Sequence, residues 1–357
     1  LRRPGLRRHK RRPTLFGFEL RKLLRTRGAV AVALLLAAAQ VFASSTFTTL
    51  TTEEEARYQA WLTTLQGPYT AEKHAQILDA YEDLRALEAA ASAGGDNVDA
   101  ALAQAGLQEK PVLVRLGRLS NQLKARAESG LSAAYIPDAG YNRLLGFETV
   151  GPRYQPALLA ALLVLALSGL FAAERETGLF RLCQTLPGAT GRLYWTKAGL
   201  ACVVTTVLHA AVWLPEALFL WRRYDFPLPG AEAANLPAMA GAPQGMPLWG
   251  AVLATWLIRL AGSLFFSALL FTVTVRASTT VGALLTGVGL SLALFVLDSL
   301  LPPALANFSP VAVMAGDGMA VLSGPALLAA LTYFALTVLL FGAGEYSWLK
   351  LLGKPYF

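Results

Sequence analysis

The chain reads as an all-α membrane protein with six transmembrane helices, an N-terminal interfacial helix, and a helical domain inserted between spans 1 and 2. Three observations predict this. Hydrophobic residues fill 55% of the 357 positions and charged residues only 15%, against about a quarter charged in an ordinary soluble domain. The mean hydropathy of +0.46 is a surplus that one water-soluble core does not absorb, so apolar surface has to face lipid. The apolar residues are also gathered into runs of about 20, enough to cross roughly 30 Å of hydrocarbon. Disorder, a disulfide scaffold and a simple soluble enzyme are excluded by the same composition.

Residues 1–27 form a basic tail with eleven Lys/Arg and one acid, Glu19. Beside an apolar run, such a tail marks a cytoplasmic end held by the positive-inside bias, so no nucleic-acid partner is expected. Within it, Phe16, Leu20, Leu23 and Leu24 recur at helical spacing, with Glu19, Arg21, Lys22 and Arg25 on the other side. That pattern predicts an amphipathic helix lying in the interface; a plain basic flank is the other reading. Span 1 is 28–50, without a charge. Val41-Phe42-Ala43 resembles a signal cleavage site, and Arg11-Arg12 a twin-arginine signal. The run is too long for a signal, and charged residues separate it from the arginine pair, so an uncleaved anchor is expected.

Residues 51–153 are expected to be a helical extracytoplasmic domain. Thr52 with Glu55 forms a capping box, and Thr70 caps a second helix whose apolar face is Ile77, Tyr81, Leu84 and Leu87. Gly94-Gly95 breaks it, a third helix runs from near Pro111 to about Tyr135, and no β-pattern is present. Spans 2–6 follow in 154–357: Tyr154–Ala173, Ala198–Trp221, Leu248–Val275, Ala277–Leu297 and Val321–Gly344. Trp195, Trp221, Trp249 and Trp348 stand at span ends, where indole rings favour the interface. Between spans 5 and 6, segment 301–320 is too broken by prolines to cross and is expected to be an outer re-entrant hairpin. Counting Lys/Arg across the loops places both termini in the cytoplasm of a multi-pass protein. Cys183 and Cys202 fall in or beside membrane segments and do not report on a redox compartment.

Catalytic signatures are missing from the sequence. It contains no GxxxxGK[ST] phosphate loop, no HExxH and no GxSxG, and its histidines (His9, His74, His209) are scattered. Asp298 and Asp317 sit in loop-like contexts unsuited to a proton-sharing dyad, which needs its carboxylates about 3 Å apart. No metal site and no enzyme activity are expected.

The segment 174–197 is the most informative. Glu174, Arg175 and Glu176 alternate in charge, Gly178 allows a turn, and Leu179, Phe180 and Leu182 offer an apolar knob before Arg181, Gly191-Arg192 and Lys197. By composition this is a positively flanked cytoplasmic loop. The order Glu, Glu, Gly, short amphipathic helix, Gly-Arg, Lys resembles the ABC-2 type transporter permeases, membrane subunits of bacterial ABC exporters. The insert resembles members with an enlarged extracytoplasmic domain. That resemblance implies a permease in the bacterial cytoplasmic membrane, dimeric with itself or with a sister permease. It also implies a separate cytoplasmic ABC ATPase holding ATP and Mg, with no cofactor in this chain. Residues Glu174, Arg175, Glu176, Gly178, Leu179, Phe180 and Arg181 would form the coupling helix against that ATPase. The implied cargo is amphipathic or hydrophobic: a peptide antibiotic, a drug or a lipid-like molecule. The alternative is a non-transporting membrane sensor or scaffold whose outer domain binds a ligand.

Ionisable residues inside spans are functional or paired. His209 and Glu216, seven apart, share a face of span 3, and Arg259 lies at similar depth in span 4. Either Arg259 and Glu216 pair to lock the two spans, the favoured reading, or the three line a substrate path. Ala283, Gly287 and Ser291, with a second row at Gly282 and Thr286, give span 5 two small-residue faces suited to close packing.

Overall fold

The computed structural model describes residues 14–25, 35–36, 38–42, 52–92, 97–147, 154–178, 189–302, 305, 308–316 and 325–352. They are mostly helical. In chain order the helices are α1 (Leu15–Arg25), α2 (Glu53–Leu65), α3 (Ala71–Ser92), α4 (Asn97–Glu128), α5 (Ala139–Leu145), α6 (Gln155–Leu167) and α7 (Gly169–Glu176). There follow α8 (Ala189–Arg223), α9 (Leu248–Thr274), α10 (Thr280–Leu300), α11 (Pro310–Ala315) and α12 (Pro325–Leu352). Five helical stretches are long and apolar enough to cross a membrane: Gln155–Glu176, Gly191–Arg223, Leu248–Thr274, Thr280–Leu300 and Leu328–Leu351. That is the character of a multi-pass membrane protein. Of expected span 1, only 35–36 and 38–42 are described, and they are helical.

Expected ends shift where a charge does not stop a helix. Span 3 begins nine residues early, so 189–197, expected as loop, are the first turns of α8. Span 6 continues through Glu345 to Leu352. Trp348, expected at an interface, is consequently buried, its ring 5.0 Å from that of Phe171. Asp298 lies within α10 rather than after it and accepts a hydrogen bond from Ser309 Oγ. Ser309 caps α11 by accepting from the Ala312 N–H at 2.9 Å. Of the expected re-entrant segment, residues 308–316 are thus a short buried helical turn; Asp317 lies outside the described residues.

The insert is helical with one exception. Gly67–Pro68 and Ala134–Tyr135 pair as a two-residue antiparallel ladder, too short for an alternating pattern to register. Thr52 caps α2 as expected, accepting from the Glu55 N–H at 3.2 Å. The Glu55 carboxylate does not close the box; it binds Arg115 at 2.6 Å. Pro111 sits inside α4 instead of starting it, and α4 runs from Asn97 to Glu128. Gly94-Gly95 lie outside the described residues. On α3, Ile77 and Leu84 are buried while Tyr81 and Leu87 are exposed. α3 packs mainly on the single helix α4, which covers a stripe narrower than the predicted face.

Among the spans α9 is central, touching α8, α10, α11 and α12. An aromatic cluster of Phe171, Tyr194, Phe271, Phe341 and Trp348 fills one end of the bundle, with Phe171 and Phe271 edge to face at 4.8 Å. Small residues set two close approaches. A Cβ on Gly287 would meet Leu270 at 2.9 Å and Val164 at 3.0 Å, so the Ala283–Gly287 row faces inward and Thr286 of the second row stays exposed. A Cβ on Gly262 would meet the Met314 backbone nitrogen at 2.7 Å. Gly262→Ala should therefore cost about 1–3 kcal/mol by overpacking α9 against α11. Gly230→Ala, with nothing within 4 Å of the new methyl, should leave thermal stability in detergent unchanged.

Candidate functional site

Two buried cations organise the span bundle at two levels. Lys197, two turns inside α8, is 0% exposed. Its Nζ contacts Glu19 of α1 at 2.9 Å and Glu174 of α7 at 2.8 Å, and donates to the Leu170 carbonyl at 2.6 Å. Lys22 of α1 adds a second cation at 2.8 Å from the same Glu174 oxygen. Glu19, expected on the outer polar side of the amphipathic helix, is 3% exposed and faces inward. The reason is electrostatic: a desolvated ammonium without an anion is untenable, so α1 turns its one acid toward Lys197. Leu20 and Leu23 pack beside it on the bundle, while Phe18 stays exposed.

The neighbouring residues of segment 174–197 are fixed as well. Arg175 donates to the Val275 carbonyl and, at 2.8 Å, to that of Ala277, both in the α9–α10 connection. Glu176 accepts from the Thr280 N–H at 2.7 Å and the Thr280 hydroxyl at 2.8 Å, capping the first turn of α10. Gly178 turns the chain at φ +73°, and a Cβ there would meet no described atom within 4 Å. Leu179, Phe180, Arg181 and Cys183 lie outside the described residues. Glu174, Arg175 and Glu176 thus tie α7 to α1, α8, α9 and α10 at once.

At the second level Arg259, midway along α9, is 3% exposed. Its Nε donates to the Ala315 carbonyl at 2.9 Å and one Nη donates to the Leu144 carbonyl at 3.2 Å. Its guanidinium lies 4.1 Å from the Trp213 ring centroid. Ala315 ends α11 and Leu144 is in the last turn of α5. Two helix C-termini therefore converge on one cation, where their partial negative charges favour it, and the indole face adds cation–π attraction. Glu216 accepts from Gln155 at 3.2 Å. His209 meets Ser263 at 3.0 Å. His209 and Arg259 are enclosed within one chain's bundle, both at 3% exposure.

The insert reaches Arg259 through α5. Gly140 lies against Tyr224, Tyr141 Oη donates to the Pro227 carbonyl at 3.0 Å, and Arg126 pairs with Glu232 at 2.7 Å. Asp138, just before α5, is 1% exposed, accepts from Gln59 at 2.6 Å and has Arg115 at 3.9 Å. Burial pushes the Asp138 carboxyl above the usual carboxylate range, and Gln59 and Arg115 offset only part of that. Sequence reasoning missed Glu19, Lys197 as a buried charge, and this joint. The lone acid in a basic helix was the one available signal.

Among the described residues no group of three or more His, Cys, Asp or Glu could hold a metal ion. No protein-family model, curated protein or solved structure matches the chain.

Two outcomes follow from this geometry. Lys197→Met strands the buried Glu19 carboxylate and leaves Glu174 with Lys22 alone. It should cost about 3–5 kcal/mol, most of it recovered in the Glu19→Gln/Glu174→Gln/Lys197→Met triple variant; thermal unfolding in detergent reads both. Asp138 has a raised folded-state pKa, so its contribution to stability is full below about pH 4 and is lost as pH rises through that raised value. The pH dependence of the melting temperature above pH 4 should be flatter in Asp138→Asn than in the parent chain.

Proposed function

We propose that the chain is the membrane-spanning permease subunit of an ATP-driven exporter of the ABC-2 type, energised by a separate ABC ATPase. One observation carries the reading. Segment 174–178 is fixed to α1, α8 and the α9–α10 connection through Glu174, Arg175 and Glu176. A force applied to the residues that follow, 179–188, would reach four helices through short polar contacts. That is what a coupling segment requires, and it divides the labour. Leu179, Phe180 and Arg181 supply the docking surface, while Glu174, Arg175 and Glu176 act as its rigid root.

In this reading residues 28–50 complete a set of six spans, and α1 lies in the cytoplasmic interface with Phe18 toward lipid. The insert is then extracytoplasmic, both termini are cytoplasmic, and the protein resides in the bacterial cytoplasmic membrane. Two permeases, identical or sister chains, pair around an amphipathic or hydrophobic cargo. ATP drives export only if the ATPase pair binds one conformation of the permease better than the other. A non-transporting sensor is the second reading, favoured by the direct link from the insert through α5 to Arg259.

Expression together with candidate cassette ATPases, followed by purification in mild detergent, tests the proposal. A stoichiometric ATPase should co-purify, and the Leu179→Ala/Phe180→Ala pair should release it without reducing membrane insertion. A chain that emerges alone from repeated gentle preparations would overturn the permease and leave the sensor.

A further inference from the structure

The seam between α8 and α9 contains three polar atoms that no group among the described residues satisfies. His209, Trp213 and Ser267 are 3%, 5% and 0% exposed, yet His209 Nε2, Trp213 Nε1 and Ser267 Oγ have no hydrogen-bond partner there. Hydrocarbon surroundings penalise each such atom, and native interiors leave few of them. The other hydroxyls of α9 (Thr255, Ser263, Thr272 and Thr274) each donate to a carbonyl three or four residues back. Ser267 alone on that helix does not.

The chemistry of a missing partner can be deduced. Ser263 Oγ donates its single proton to the Arg259 carbonyl at 2.7 Å, so toward His209, 3.0 Å away, it can only accept. His209 therefore carries its hydrogen on Nδ1, and in the neutral imidazole the lone pair is on Nε2. Trp213, one turn along α8, offers only an N–H. Its ring is 6.4 Å from that of His209. An anion would be repelled by the Nε2 lone pair, and a cation by the indole N–H and by Arg259 close at hand. The group that fits both is neutral and both accepts and donates: a hydroxyl.

We propose that this seam is a hydrated seat: a hydroxyl-bearing guest, water or the hydroxyl of a small solute, accepts from Trp213 and donates to His209 Nε2. Ser267 Oγ, four residues or about 6 Å beyond Ser263 on the side away from Trp213, continues the seat along α9. Its occupancy does not depend on the exporter reading, because it requires neither ATPase nor cargo.

The test uses the full chain in liposomes with Cys183→Ser and Cys202→Ser, and 2-hydroxyethyl methanethiosulfonate as probe. Ser267→Cys should react at least about tenfold faster than Ala268→Cys, which is equally buried in the dry core, since buried structural thiols are inert. Adding His209→Phe, or His209→Leu where the first disturbs the size-exclusion profile, should slow Ser267→Cys to the Ala268→Cys rate. Slowing by added 1-propanol assigns the seat to solute hydroxyls, and no slowing assigns it to water; either keeps the proposal. Equal rates at Ser267→Cys and Ala268→Cys would overturn it, whatever is found for the ATPase.

Discussion

A fully buried ammonium has to be surrounded by acceptors, and that constraint at Lys197 shapes one whole end of this molecule. The desolvation of a cation in a low-dielectric interior is offset only by close anions with good geometry. Lys197 obtains them from two different helices, Glu19 of α1 and Glu174 of α7. α1, with 11 residues, is too short to set its own position, whereas α7 is the last part of the Gln155–Glu176 stretch. The ion cluster supplies what length does not. With α7 placed, Arg175 and Glu176 fall on the α9–α10 connection and fix it in turn.

Arg259, midway along α9, is met in part by main chain. Its described partners are main-chain carbonyls at the C-termini of two short helices, together with an indole face. Such carbonyls are unsatisfied by their own helices, so each side of the contact meets a need of the other. The consequence is connectivity. α5 belongs to the insert and α11 to the segment between α10 and α12, and Arg259 adds a polar tie to the apolar packing that each makes with α9. Gly316, in the left-handed region at φ +81°, closes α11 and lets the guanidinium approach it.

The helices themselves were legible because their signals are long and periodic. Leu248–Val275 as read differs from α9 by one residue, since a run of that length has no competing reading. Short-range stops were less legible. Glu345 and Lys197 look like span ends in sequence, yet each lies within a helix because a nearby group meets its charge: Trp195 Nε1 donates to Glu345 at 2.9 Å. The direction faced by Glu19 was illegible for the same reason. Periodicity assigns a carboxylate to the polar side, whereas an ammonium on a helix 178 residues away decides its burial. For segment 174–197, composition gave only a positively flanked loop, and neither it nor residue order could reveal that the charges of Glu174, Arg175 and Glu176 are taken up by intramolecular contacts.

One helix carries the partners of both cations. Lys197 is on α8 near one end, and Trp213, which faces Arg259, is sixteen residues farther along, about 24 Å at 1.5 Å per residue. Between them lies His209, which meets Ser263 of α9 at 3.0 Å. α8 is therefore anchored near Lys197 and near Trp213 by contacts with buried cations. A helix held in this way rotates or tilts about its anchors more easily than it slides, because sliding would withdraw Lys197 from two carboxylates together.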